Sequence, residues 1–337
     1  MDWTKGFSAA YYMSIVDPET WRNIDRVEIT GGSVSRTDSN LIESADINCV
    51  KYDKGEQWIR LYLDAKQEGS DTAHTPLFTG LATSPASDIN GQLITNSLEC
   101  YSVLKPADDV PVKRGYYVSK DTDCTVLIKN ELLKDTPAPV VIDGKAPKLQ
   151  KTLLAENNES KLSMAIKLLT AINWRFRITG EGIIHICPKE HDAVALFDAL
   201  GNDVVEPTMN VEYDWFKCPN VFMAVIDGIA YTARDDDPNS VLSTIRRGRE
   251  IWETEENPTL NTGETSTQYV NRRLKELQQA VMKVSYNRRY YPTITVGDRI
   301  ELNYPSQGVR GIFQITSHSF SLNYGATVTE DANKIGA

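Results

Sequence analysis

The sequence predicts a mainly β protein with an α+β insert in its middle, and three observations carry that reading. In residues 1–104 apolar and polar positions alternate, as at Ala45, Ile47 and Cys49 and again at Ile59, Leu61 and Leu63. The alternation returns after residue 209, at Ile300, Leu302 and Tyr304. Between these stretches an apolar stripe at helical spacing (Leu162, Ala165, Ile166, Leu169, Ile172) breaks the pattern. Period two marks a strand with two unlike faces, and a stripe at steps of three and four marks a helix lying on a core.

Residues 1–104 read as closely spaced strands of a small barrel or sandwich. Asp53-Lys54-Gly55-Glu56 reads as a hairpin loop between the two alternating runs, and Gly31-Gly32 and Asn90-Gly91 as further turns. Residues 105–208 form the α+β insert. A helix is expected over 122–133, with Cys124, Leu127, Ile128 and Leu132 on one face and Asp121 or Thr122 as its cap. The proline-rich run Thr136-Pro137-Ala138-Pro139 is a loop. A second helix covers 160–173. Two strands follow, Trp174/Phe176/Ile178 and Ile184/Ile186, joined at Gly180-Glu181-Gly182. Residues 209–330 form a second β domain. Its apolar run 221–226 is expected to be a strand buried on both faces. A helix at 266–283 carries Val270, Leu274, Leu277 and Val281 behind a capping box at Thr265 and Gln268. Strands resume on either side of Pro305-Ser306-Gln307-Gly308, and residues 331–337 are expected to fray.

At 337 residues the chain exceeds one ordinary core, which implies two or three domains. A net charge of −10 argues against broad nucleic-acid binding and against docking on anionic lipid. No run of about 18 apolar residues occurs, so no transmembrane helix is expected. The opening Met1-Asp2-Trp3-Thr4-Lys5-Gly6 lacks a basic region followed by an apolar stretch, so no secretory leader is expected. Cys49, Cys100, Cys124, Cys187 and Cys218 are odd in number and widely spaced, as for reduced thiols made in a reducing cytoplasm rather than a disulfide framework.

Chemistry finds few footholds. Asp235, Asp237 and Asn239 have the first, third and fifth spacing of a calcium loop, but Ser240 and Arg246 stand where that loop needs glycine and glutamate. The segment reads instead as an exposed loop of Asx turns. His185 and Cys187 share a strand face, with His191 nearby, but zinc needs about four ligands. Arg246-Arg247-Gly248-Arg249 could contact phosphate, though in an acidic chain salt bridges fit better. Gly32-Ser33 lacks the strand-to-helix context of a nucleophile elbow. His74, His185, His191 and His318 have no local catalytic partner, and Glu253, Glu255 and Glu256 read as an exposed strand or loop face. No catalytic, cofactor-binding or metal-binding residue is assigned.

Three stretches resemble one family. They are Trp3-Thr4-Lys5-Gly6-Phe7-Ser8-Ala9-Ala10-Tyr11 leading to Gly31-Gly32-Ser33-Val34; Thr232-Ala233-Arg234-Asp235-Asp236-Asp237-Pro238-Asn239-Ser240 with Ser243-Thr244 and Arg247-Gly248-Arg249; and Tyr291-Pro292-Thr293-Ile294-Thr295-Val296-Gly297-Asp298 with Tyr304-Pro305 and Gly308-Val309-Arg310-Gly311. In this order they resemble the baseplate hub, or tail-hub, proteins of phages, prophages and phage-tail-like bacteriocins. The resemblance implies two tube-type β-barrel domains around a middle α+β domain, and a non-enzymatic structural role without cofactors. It implies a homotrimer whose six barrels continue the sixfold tail tube and adapt it to a threefold spike. The implied partners are further copies of the chain, the tail tube protein and the central spike protein, with the tape-measure protein and other baseplate proteins beside them. The implied place is the tail tip of a virion or tail-like particle made in the bacterial cytoplasm. Asp235, Asp237, Arg246, Arg247 and Arg249 are the candidate protein–protein interface. Two other readings stand beside it: a carbohydrate- or receptor-binding module using Trp215, Trp252, Tyr290 or Tyr291, and a cell-wall hydrolase whose site assembles only in space.

Overall fold

A computed structural model describes residues 1–37, 41–50, 52, 54–90, 93–189, 192–200, 204–216, 218–258, 260, 264–279 and 282–335. Asp53, Gly91, His191 and Val281, named above, lie outside the described residues. The chain divides into two compact units. One holds Met1–His191, Arg288–Gly297 and Ser317–Thr329; the other holds Asp192–Asn287, Asp298–Thr316 and Glu330–Ala337.

The first unit opens with β1 (Ser8–Val16), β2 (Asn23–Val27), β3 (Ile29–Thr37), β4 (Glu43–Cys49), β5 (Gln57–Lys66), β6 (Ala73–Asn90) and β7 (Leu93–Ser102). They pair antiparallel in the order β3-β4-β7-β6-β5-β1-β2, with residues 317–321 on the other side of β3. β1 and β3 stand five spacings apart in that order, about 24 Å if the sheet were flat. They nevertheless touch. Met13 and Ile15 of β1, Val34 of β3, Ile47, Leu61, Phe78 and Leu98 share one core. The sheet is therefore strongly curled, its twist turning one face inward. Among the described residues the pairings form an open path, not the closed barrel that the resemblance implied.

Two sequence expectations need correction here. Residues 53–56 do not join a hairpin: β4 pairs with β3 and β7, and β5 with β1 and β6. Alternation records which face is buried, not which strand lies alongside. Gly31-Gly32 is not a turn either. It lies within β3, where the register against β4 slips. Gly32 has φ +141°, and a Cβ there would stand 2.1 Å from the Asp46 carbonyl oxygen. The bulge falls between Ile29 and Gly31, and only glycine fits at Gly32 beside it.

The same unit continues through α1 (Lys105–Asp108), β8 (Tyr117–Val118), α2 (Cys124–Leu127), β9 (Val140–Ile142), β10 (Leu153–Leu154), α3 (Lys161–Ala171), β11 (Trp174–Ile178) and β12 (Ile184–Pro188). Ser160 caps α3, its hydroxyl accepting from the Ser163 N–H. The expected stripe of α3 packs on Trp174, Phe176, Ile184 and Ile186. The α2 cap is Asp123, one residue beyond the expected Thr122, because its carboxylate reaches the Val126 N–H; a π turn, Ile128–Leu132, carries the helix on. β11 and β12 form the expected hairpin. Its turn lies against the curled sheet. The Thr79 hydroxyl donates to the Gly180 carbonyl at 2.7 Å, and Arg60 Nη2 and Trp21 Nε1 donate to the Glu181 carbonyl at 3.0 and 2.9 Å.

The second unit contains β13 (Ala193–Asp198), β14 (Val205–Tyr213), β15 (Val221–Ile226), β16 (Ile229–Arg234), α4 (Thr244–Arg247), β17 (Trp252–Glu256), α5 (Ser266–Gln279) and β19 (Arg299–Tyr304). Strands β18 (Met282–Arg289), β20 (Val309–Ser321) and β21 (Thr327–Lys334) are each divided between the two units. β15 is the centre of a separate sheet, antiparallel to β16 and parallel to β17. Asp227-Gly228 joins β15 to β16 with both residues at positive φ, the geometry of a two-residue hairpin. α5 lays Tyr269, Val270 and Leu274 on Phe222, Ala224 and Ala233. Its capping box forms as expected between Thr265 and Gln268. The helix is described to Gln279 and does not reach the expected residue 283, because the alternation of Met282, Val284 and Tyr286 starts β18. Residues 331–334, expected to fray, complete β21. Asp331 accepts from the Ser285 hydroxyl and pairs with Lys283 at 3.2 Å, while Ala332 is buried. Alternating small and polar residues suit a strand as well as a tail.

All five cysteines are buried thiols. Cys49 and Cys100 sit in the curled-sheet core, Cys124 in the core beneath α3, and Cys218 in the second unit. Burial pushes the Cys49 and Cys100 thiols up, and those of Cys124 and Cys218 to about 11. Among the described residues no helix is long and apolar enough to cross a membrane.

Candidate interaction surface

The loop between β16 and β17 is the densest charged segment, and its own side chains hold it rigid. The Asp235 carboxylate accepts from the Asp237 N–H at 3.2 Å, the Ser240 hydroxyl at 2.7 Å and Gln278 Nε2 at 3.1 Å. Asp237 in turn accepts from the Asn239 N–H at 2.9 Å. These are the Asx turns that the sequence predicts. Asp236 accepts from the Thr244 hydroxyl and from Arg234 Nε, which together hold its carboxyl below the usual range. Ser243 caps α4 through the Arg246 N–H, and Gly248, at φ 61°, ends it.

A single buried residue ties the loop's return to β15. Asn220 Nδ2 donates to the Arg249 carbonyl at 2.9 Å, and its Oδ1 accepts from the Ile251 N–H at 2.8 Å. Its backbone N–H donates to the Ile251 carbonyl, and its own carbonyl accepts from the Asp235 N–H. Loop geometry is thus set by hydrogen bonds internal to the second unit.

The five candidate residues separate by what they touch. Asp235 is half-buried and turned inward. Arg247 donates through Nη1 to the Cys218 carbonyl at 2.7 Å and through Nη2 to the Trp215 carbonyl. Asp237, Arg246 and Arg249 are exposed. Arg249 lies over the Phe216 ring at 5.1 Å and donates to the Phe216 carbonyl at 3.3 Å. Arg246 makes no ion pair among the described residues. Beside these charges the chain exposes Tyr213, Trp215, Phe216, Val241, Ile245 and Trp252, with Phe216 73% exposed. Tyr213 and Trp215 are in ring contact at 5.5 Å. Sequence reading named Trp215 and Trp252 but passed over Tyr213, Phe216, Val241 and Ile245. The available signal was Tyr213-Asp214-Trp215-Phe216, an aromatic cluster at the end of a strand that breaks period two.

Other singled-out residues have internal partners. Tyr290 is core, packed edge-on to Phe320 at 5.1 Å and to Trp3 at 5.8 Å. His185 is bonded to Asp143 at 2.8 Å, and Cys187 is buried. Glu255 accepts from the Tyr269 hydroxyl at 2.7 Å.

No protein-family model and no curated protein matches the sequence. Solved structures do. A 43 kDa tail protein of prophage MuSo2 from Shewanella oneidensis matches with a TM-score of 0.68 at 12% identity, over 97% of this chain and 98% of that one. A tail protein from Neisseria meningitidis MC58 matches with a TM-score of 0.69 at 12% identity, over 97% of each chain. The Escherichia coli c3393 protein, a type VI secretion component described as similar to the T4 tail proteins gp27 and gp5, matches with a TM-score of 0.53 at 11% identity, over 92% of this chain and 75% of that one. Over almost its whole length, the chain has the fold of prophage tail proteins, as its three resembling segments implied.

Proposed function

We propose that the protein is a structural hub subunit at the tip of a phage tail or phage-tail-like particle. The observation that carries this reading is a likeness in fold that runs nearly the full length of both this chain and the prophage tail proteins. On this reading three copies form a ring that adapts the sixfold tail tube to a threefold central spike. Its partners are then other copies of itself, the tube protein, the spike protein, and the tape-measure and other baseplate proteins around them. The protein works through its surfaces, without a cofactor, in a particle assembled in the bacterial cytoplasm.

The loop between β16 and β17 supports a contact role. Its own hydrogen bonds brace it in the free chain, so docking need order little additional chain. It offers Arg246 and Arg249 beside tryptophan, tyrosine and phenylalanine, the residue types that anchor protein interfaces. In a chain of net charge −10, an arginine-bearing patch finds complementary acidic surface on another copy. The same acidity lets DNA pass without being held.

Light scattering on the purified protein, alone and mixed with its neighbouring tube and spike proteins, tests the reading. A trimer, alone or formed on mixing, is expected; a monomer that ignores both partners would overturn it. Exposed Trp215 and Phe216 favour one second reading, sugar binding by stacking. Saturable quenching of tryptophan fluorescence by cell-wall glycans, lost in Trp215→Ala, is its signature.

A further inference from the structure

Within the first unit, residues 75–77 of β6, the turn joining β11 to β12, and residues 290–295 surround a cavity of about 360 Å³. Two buried donors line it. Arg36 is only 8% exposed; its Nε donates to Glu43 Oε2 at 3.0 Å and its Nη2 to the Leu77 carbonyl, which leaves Nη1 with no partner among the described residues. Tyr290 is only 5% exposed, and its hydroxyl makes no hydrogen bond among the described residues. Its ring lies near enough to Arg36 and Arg288 to feel both charges. A third guanidinium, Arg177, lines the same space and donates to the Thr293 carbonyl at 3.1 Å.

Neither atom is among the fully buried side-chain atoms that lack a partner, so both open onto the cavity, where an acceptor can meet them. Both groups donate, and the charged side chains that line the cavity are two arginines, Arg36 and Arg177, and one acid, Glu181. Glu43, which does not line the cavity, accepts from Arg36 through Oε2, and Glu181, the acid that does line it, is exposed. An acceptor with two oxygens and a single negative charge matches this set better than a dianionic phosphate, because only Arg36 brings an unsatisfied cationic donor.

We propose that this cavity is a carboxylate-binding site, in which one ligand oxygen accepts from Arg36 Nη1 and the other from the Tyr290 hydroxyl. Thr75 and Thr293 add polar wall, and Leu77, Pro292 and Ile294 cover the ligand's short carbon body. The carboxylate can belong to a small free acid or to a side chain of a partner protein. This inference goes beyond the hub reading and does not rest on it.

Nuclear magnetic resonance of arginine side-chain nitrogens tests it. The intact protein is titrated with sodium acetate, with sodium chloride at matched ionic strength, and with a capped Gly-Glu-Gly tripeptide as the protein-borne source. A saturable shift with acetate or the tripeptide, absent with chloride, is expected. Tyr290→Phe should weaken it about tenfold through the loss of one charge-assisted hydrogen bond. The double variant Arg36→Met, Glu43→Leu exchanges the buried pair for apolar groups of similar size and should abolish it. Saturation by acetate identifies a free acid as sufficient; saturation by the tripeptide alone identifies a partner's side chain. If neither probe saturates, or if Tyr290→Phe binds as the parent does, the proposal fails, and that outcome stands even if the double variant does not fold.

Discussion

Glu43 is buried, and among the described residues Arg36 is its one ionic partner and its Oε1 has no hydrogen bond. Desolvation outweighs the attraction of Arg36 and pushes the carboxyl up to about 7. An unfolded glutamate titrates near about 4.3. Between these values the native state holds a proton that the unfolded chain has released. This group's stabilisation is therefore greatest at low pH and falls as pH rises towards 7, by at most about 1.4 kcal/mol per pH unit. Urea melts across that window should show the decline in the parent and lose it in Glu43→Gln; an unchanged slope would rule out Glu43 as its source. Asn220→Ala strands the Arg249 carbonyl and the Ile251 N–H, and should cost roughly 2 kcal/mol or more in the same assay. The two residues differ in legibility. Glu43 could have been found, since stepping back by two from Cys49, Ile47 and Ala45 places it on the buried face. Asn220 could not, because its partners lie 29 and 31 residues further along the chain.

Elements whose cause is local were legible. The α3 stripe with its Ser160 cap, the Thr265 and Gln268 capping box, and the β11–β12 hairpin are all written within a few neighbouring residues. Ser160→Ala should lower stability by about 1 kcal/mol, read as a shift in the urea midpoint at constant m-value. Elements whose cause is distant were misread. The supposed hairpin between β4 and β5 failed because strand pairing is set by the whole sheet. Gly180 shows how closely the β11–β12 turn meets its neighbour, since a Cβ there would stand 1.9 Å from the Pro76 carbonyl oxygen. Backbone cannot yield as a flexible side chain does. Gly180→Ala should therefore destabilise by roughly 2 kcal/mol or more. A change within about 0.5 kcal/mol would mean that the turn does not press on β6 as described.

For the whole molecule, the fold likeness exists at 12% identity, with no family model matching the sequence. What the match shows at that distance is a shared fold, which three stretches spread along the chain had already implied. The outward aromatic patch was only half readable, because exposure depends on what the rest of the chain fails to cover. Reversing charge at both Arg246 and Arg249 tests the patch at this scale. Neither position carries core packing, so the melting temperature should hold while assembly with copies or partners falls by tenfold or more. Assembly equal to the parent's would remove this loop from the interface.

The buried thiols carry one more consequence. Thiolate, not thiol, is the species that oxidants and alkylating reagents attack, and burial favours the thiol at Cys49, Cys100, Cys124 and Cys218. Held in this way, the thiols present little reactive thiolate to an oxidant. The same groups act as dormant reporters distributed among different cores: Cys49 and Cys100 in one, Cys124 in another, Cys218 in a third place. Timed alkylation followed by peptide mass mapping would convert them into a record of which region breathes first. Labelling of Cys218 ahead of Cys49 and Cys100 would show the second unit opening while the curled sheet stays shut.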